Sequence, residues 1–149
     1  GIMGSGHSQG DRTNIIDYIT ISTLGNSADF GEATSHGKGG FGCSNAVRGI
    51  FGGGSNPADC NAIDFLTIAT LGNTQDFGDL STLTSPNGGG CASSTRGLVL
   101  GRHVSNSYKN TIEFVQIMTT GNAFDFGDGL PAAGLEGPVG FSNGHGGLG

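Results

Sequence analysis

Short β-branched runs set between glycine-rich turns recur three times along the chain. Asn14-Ile-Ile-Asp-Tyr-Ile-Thr-Ile, Asn61-Ala-Ile-Asp-Phe-Leu-Thr-Ile and Asn110-Thr-Ile-Glu-Phe-Val-Gln-Ile open equivalent copies. In each, Ile16, Ile63 or Ile112 precedes an aromatic residue by two positions. Runs of this kind favour a pleated surface packed on both faces. Each is followed by a Gly-Asn pair (Gly25-Asn26, Gly72-Asn73, Gly121-Asn122) and then by Asp-Phe-Gly at Asp29, Asp76 and Asp125. Repetition at a fixed spacing of about fifty residues marks a repeat architecture, in which each unit leans on its neighbours to bury its apolar face.

Every copy parses into four short strands. A small, glycine-rich strand (40–45, 89–94 and 140–143) turns into Arg48-Gly-Ile-Phe or Arg96-Gly-Leu-Val. The β-branched run follows as the third strand (14–23, 61–70 and 110–119). The Gly-Asn pairs supply a hairpin turn into a fourth strand carrying Phe30, Phe77 or Phe126. These phenylalanines, with the three isoleucines, are expected to be buried at equivalent positions. Gly1-Ile-Met-Gly aligns with Gly49-Ile-Phe-Gly, so the chain opens on a second strand and closes, at 138–149, on a first one. The expected organisation is one all-β repeat domain over 1–149, with units at 1–39, 40–87 and 88–137, and 138–149 completing the first. Pairing of the two terminal strands, within one ring or between two chains, would leave no unprotected sheet edge.

The order of strands resembles a kelch-type β-propeller blade, with Phe30, Phe77 and Phe126 roughly where kelch repeats carry tryptophan. More closely, Asp17-Tyr-Ile-Thr-Ile-Ser-Thr-Leu-Gly-Asn-Ser-Ala-Asp-Phe-Gly-Glu and Thr95-Arg-Gly-Leu-Val resemble repeats of structural and tail-associated proteins of marine tailed bacteriophages. The resemblance implies three propeller blades, one split between the termini, and location in a virion or outside the cell. Propellers have about four to eight blades. Two chains sharing a six-bladed ring, or further repeats in a longer parent chain, are therefore the expected partners. A β-trefoil or β-prism also accommodates three repeats of four strands.

Composition narrows the chemistry. Among 149 residues there are 31 glycines and no tryptophan, and only 12% are charged, which excludes a charged helical bundle. The net charge of −6 disfavours nucleic acid and anionic membranes. No apolar run approaches the ~18 residues of a membrane span. Residues 1–10 have no signal-peptide core and Gly1 is not Met, as in a processed piece or fragment. Cys43 and Cys91 occupy equivalent strand positions, where the third copy has Phe141, and Cys60 is placed in a loop as a free thiol.

Candidate chemistry is sparse. The acid pairs Asp29/Glu32, Asp76/Asp79 and Asp125/Asp128 offer too few oxygens for calcium and recur where a catalytic site would occur once. No Cys/His set has zinc spacing, so neither metal nor organic cofactor is expected. Copies differ most in the longer connections, and variable loops on a rigid scaffold build binding faces. His7, Asp11, Arg12, His36, Lys38, Asp59, Arg102, His103, Tyr108 and Lys109 are the candidate ligand-binding residues. The expected function is nonenzymatic: a phage structural or appendage module, binding a cell-surface glycan as an adhesin. The alternatives are a carbohydrate-binding lectin and, less favoured, a propeller glycosidase using the nonrepeated acids Asp11, Asp59 and Glu136.

Overall fold

The computed structural model describes residues 1–8, 11–34, 39–55, 58–84, 88–101, 103–104, 107–130, 134 and 137–143, and every regular element among them is a β-strand. The first sheet joins β1 (Ile2–Ser8), β2 (Asp11–Tyr18) and β3 (Ala28–Glu32) in chain order. The second joins β4 (Phe41–Ser44), β5 (Arg48–Gly52), β6 (Cys60–Thr67) and β7 (Gln75–Thr84), again in order. In the third, β8 (Gly89–Ala92) and β9 (Arg96–Leu100) precede a two-stranded hairpin of β10 (His103–Val104) and β11 (Ser107–Tyr108). That sheet is completed by β12 (Thr111–Gln116) and β13 (Phe124–Asp128), in the order β13-β12-β9-β8. All ladders are antiparallel.

The alignment of Gly1 with Gly49 holds at the level of single rungs. Ile2 faces Tyr18 and Met3 faces Asp17, as Ile50 faces Phe65 and Phe51 faces Asp64. Asp-Phe-Gly is a β-bulge in all three sheets. The register jumps from Ile16–Gly31 to Asp17–Asp29, from Ile63–Gly78 to Asp64–Asp76, and from Ile112–Gly127 to Glu113–Asp125, so each phenylalanine is the extra residue. Gly31, Gly78 and Gly127 follow it with φ of 150°, 146° and 138°, a backbone region that side chains disfavour.

Consecutive sheets pack against each other. Ile16, Phe30 and Ala33 of the first meet Leu66 of the second, with Phe51 and Ile68 alongside. Ile50, Ile63, Phe65, Phe77 and Leu80 of the second meet Val99, Val115 and Ile117 of the third. Each unit therefore has a trailing face, with the bulge phenylalanine, and a leading face, with the residues equivalent to Leu66 and Ile68. Exposure follows from this polarity. Phe30 and Phe77 are 4% and 2% exposed, whereas Phe126, on the last trailing face, is 52% exposed. The expectation of three equivalently buried phenylalanines fails at Phe126, and Ile112 is only half-buried, because no following sheet covers them within the chain.

One further expectation is corrected. The Gly-Asn pairs do not form the hairpin turns. The chain reverses earlier, where Thr23, Thr70 and Thr119 amides donate to the carbonyls of Thr20, Thr67 and Gln116. The expected pairing of the terminal strands, within one ring or between two chains, is not made among the described residues of the single chain. Among the described residues β1 is laddered only to β2, while 138–143 lies beside β8. There Ser142 Oγ donates to the Ala92 carbonyl, and Gly140 approaches the Gly90 carbonyl as Gly90 approaches that of Gly42.

Candidate functional site

The residues that recur in every unit converge on the junctions between sheets. At the first junction the Gly72 and Thr74 amides donate to the carbonyls of Phe30 (2.8 Å) and Glu32 (2.9 Å), and the Glu32 amide donates to Asn73 Oδ1 (3.0 Å). At the second the Gly121 and Ala123 amides donate to Phe77 (2.7 Å) and Asp79 (2.8 Å), and the Asp79 amide to Asn122 Oδ1 (3.0 Å). The Gly-Asn pair is thus a clip that extends the outer strand of the preceding sheet. A Cβ on Gly31 would lie 2.4 Å from the Gly72 oxygen, and one on Gly78 2.4 Å from that of Gly121. Here glycine is needed both for its φ and for the closeness of the neighbouring backbone.

A buried acid secures each junction. Asp64 and Glu113, the acids inside the β-branched runs, are both 1% exposed. Asp64 Oδ2 accepts from the Thr34 amide (3.1 Å), the Thr34 hydroxyl and Thr74 Oγ1 (2.9 Å). Glu113 Oε1 accepts from the Ser81 amide (3.2 Å), the equivalent of Thr34. Arg48 adds a third tie, its guanidinium 4.3 Å over the Phe65 ring while Nη1 donates to the Ile117 carbonyl at 3.1 Å. Buried charge is costly unless hydrogen-bonded, so these acids act as structural acceptors for amides that the bulged strands leave without ladder partners. They were absent from the sequence-based candidates, although an acid inside an apolar run at the same place in three copies was a usable signal.

Those of the expected binding residues that are described lie at the ends of the sheets. His7 pairs with Arg12 and Ser8 with Asp11, so the first connection is an extended hairpin rather than a long loop. Ser55 bridges Asp59, and His103 pairs with Tyr108, on the equivalent rungs of the other units. The His103 and Tyr108 rings lie 4.9 Å apart, with Tyr108 and Lys109 exposed and β10 set against β7. The structure brings His7 to Arg12 and His103 to Tyr108; His36, Lys38, Arg102 and Glu136 lie outside the described residues. A separate surface groove of about 540 Å³ beneath the 67–75 turn is lined by Phe65, Thr70, Asn73 and neighbours, none of them charged.

Cysteine placement departs from expectation at one position. Cys60 begins β6 rather than lying in a loop, with its amide on the Gly54 carbonyl (3.0 Å). Cys43 packs against Gly97 at the second junction, and burial, then the adjacent Cys91, pushes its thiol up to about 12. Among the described residues no three His, Cys, Asp or Glu side chains group to hold a metal ion, and no helix is long and apolar enough to cross a membrane.

Fold and junctions together define an all-β repeat protein whose recurring polar side chains join sheet to sheet. No protein-family model matches the chain, and no curated protein shows significant similarity to it.

Proposed function

We propose that the chain is a nonenzymatic structural module of a phage particle, its sheets the blades of a propeller and its hairpin ends a host-surface adhesin. One observation carries this reading. The repeated polar groups at the two internal junctions (Asn73, Asn122, Asp64, Glu113) are engaged in joining sheets, whereas unrepeated ones stand on the hairpin rungs at the sheet ends. A scaffold that varies only at such ends is a support for recognition. The resemblance of residues 17–32 to phage tail-associated repeats supports the virion assignment.

The exposed Tyr108 ring beside His103 suits the apolar face of a sugar, so a cell-surface glycan is the proposed ligand. Weak single sites would be strengthened by many copies on one particle. A lectin acting outside any virion is the second reading, and the same ring pair favours it. Glycan-array binding should be lost in Tyr108→Ala with the far-UV spectrum unchanged, and antibodies to the domain should label particles. An array without signal refutes the adhesin; signal without particle labelling favours the free lectin. Release of reducing ends from a bound glycan would overturn the nonenzymatic assignment.

A further inference from the structure

The two internal junctions are copies of one interface, and both halves of that interface recur, open, at opposite ends of the molecule. The third sheet presents the trailing half. Phe126 is 52% exposed, and a Cβ on Gly127 would meet nothing within 4 Å, whereas its equivalents Gly31 and Gly78 touch the neighbouring clip. The first sheet presents the leading half. Met3 and Ile21, the equivalents of Phe51 and Ile68, are 50% and 81% exposed.

We infer that a second copy of this chain docks head to tail, the third sheet of one copy receiving the first sheet of the other, and that two copies close one ring of six sheets. The occupant follows from register. Carried over from the internal junctions, the partner's Gly25 and Ser27 amides donate to the Phe126 and Asp128 carbonyls. The Asp128 amide donates to the partner's Asn26 Oδ1. The acid is already in position: Ser27 Oγ donates to Asp17 Oδ2 at 3.2 Å, as Thr74 Oγ1 donates to Asp64 Oδ2 at 2.9 Å. Asp17 then accepts from the Leu130 amide, the counterpart of Thr34 and Ser81. Arg96, 5.0 Å over Phe114 as Arg48 is over Phe65, reaches the partner's Ile21 carbonyl.

A strand is exchanged as well. Residues 138–143 lie on β8 as β8 lies on β4, the place of a first strand in a following unit. The partner's β1 is a second strand whose described ladder uses only one edge. The register of β4 with β5 and of β8 with β9 places Gly140 opposite the partner's Met3 and Phe141 opposite its Ile2. Added strand, clip, acid and apolar face all select the same orientation, and main-chain pairing of this kind is a general mode of recognition.

Sedimentation of the intact chain should give a discrete species of twice 14.9 kDa at concentrations on the order of 100 μM. Phe126→Lys and Ile21→Asp alter exposed side chains, so each should keep the sheet spectrum and sediment as a monomer. Mixed together they should recover the dimer, because one junction in the mixed ring is wild type and the other sets Lys against Asp. Asn26→Ala, a milder change, should weaken association about tenfold. A monomeric wild type, a ladder of larger masses without a dimer, variants that remain dimeric, or a mixture that does not recover the dimer would each overturn the proposal.

Discussion

Phe77 and Phe126 hold the same place in the bulge and differ only in what lies over them, so they isolate what packing adds to one residue. Phe77 is 2% exposed and makes an edge contact with Phe65, their ring centroids 6.0 Å apart. Truncating it to Ala leaves a cavity between two sheets and should cost about 3–5 kcal/mol. Phe126→Ala, measured at concentrations low enough to keep the chain monomeric, should cost under about 1 kcal/mol. Urea denaturation of both variants checks the pair, and equal losses would contradict the assigned junctions. Cys43 supplies a second residue-scale test. A thiol raised from 9.0 to about 12 stays protonated in the fold, while the unfolded chain ionises its own near 9. The unfolded state therefore binds fewer protons between these values, and stability from this group should fall as pH rises from 9 to 12. It contributes no pH dependence below 9. Replacing Cys43 with Ala should flatten that limb of the alkaline stability profile.

At the scale of strands and turns, glycine substitutions separate backbone strain from steric contact. Gly78→Ala meets both: φ is 146°, and the new Cβ would lie 2.4 Å from the Gly121 oxygen. Gly127→Ala meets only a φ of 138°. In the monomer the first should therefore be the more destabilising, by about 1–3 kcal/mol, readable as a lower urea midpoint at unchanged slope. The strands were legible in the sequence because β-branched runs and their aromatics repeat in one register, and the bulge because Gly follows Phe each time. The Gly-Asn pairs were misread because their residue types fit a tight turn. Nothing local reveals that their amides are taken by another sheet, since Phe30 and Gly72 are distant in sequence and meet only after packing. The sheet-end residues His103 and Tyr108 were legible as points of variation between copies. The junction acids Asp64 and Glu113 passed unnoticed for the opposite reason, being repeated and set within apolar runs.

For the whole molecule, stability comes from neighbouring sheets, so the outer units have one junction each where the second has two. Association of a second copy would add the missing ones, and its response to salt follows from charge. Each chain carries a net charge of −6, so two copies repel as they approach. The carbonyls on the trailing edge belong to a strand bearing exposed Asp125 and Asp128, and the leading edge carries Asp17. The contacts proposed to hold the copies, by contrast, are main-chain hydrogen bonds and apolar burial, which salt screens little. Raising sodium chloride from about 20 to 500 mM should thus tighten the dimer severalfold, the reverse of an interface held by ion pairs. The melting temperature should rise with protein concentration in wild type, because only the folded chain binds its copy, and should be independent of it in Phe126→Lys. Calorimetry over a hundredfold concentration range at both salt levels measures both effects. A dimer weakened by salt would show that charge pairing, not the clip and the apolar face, joins the copies.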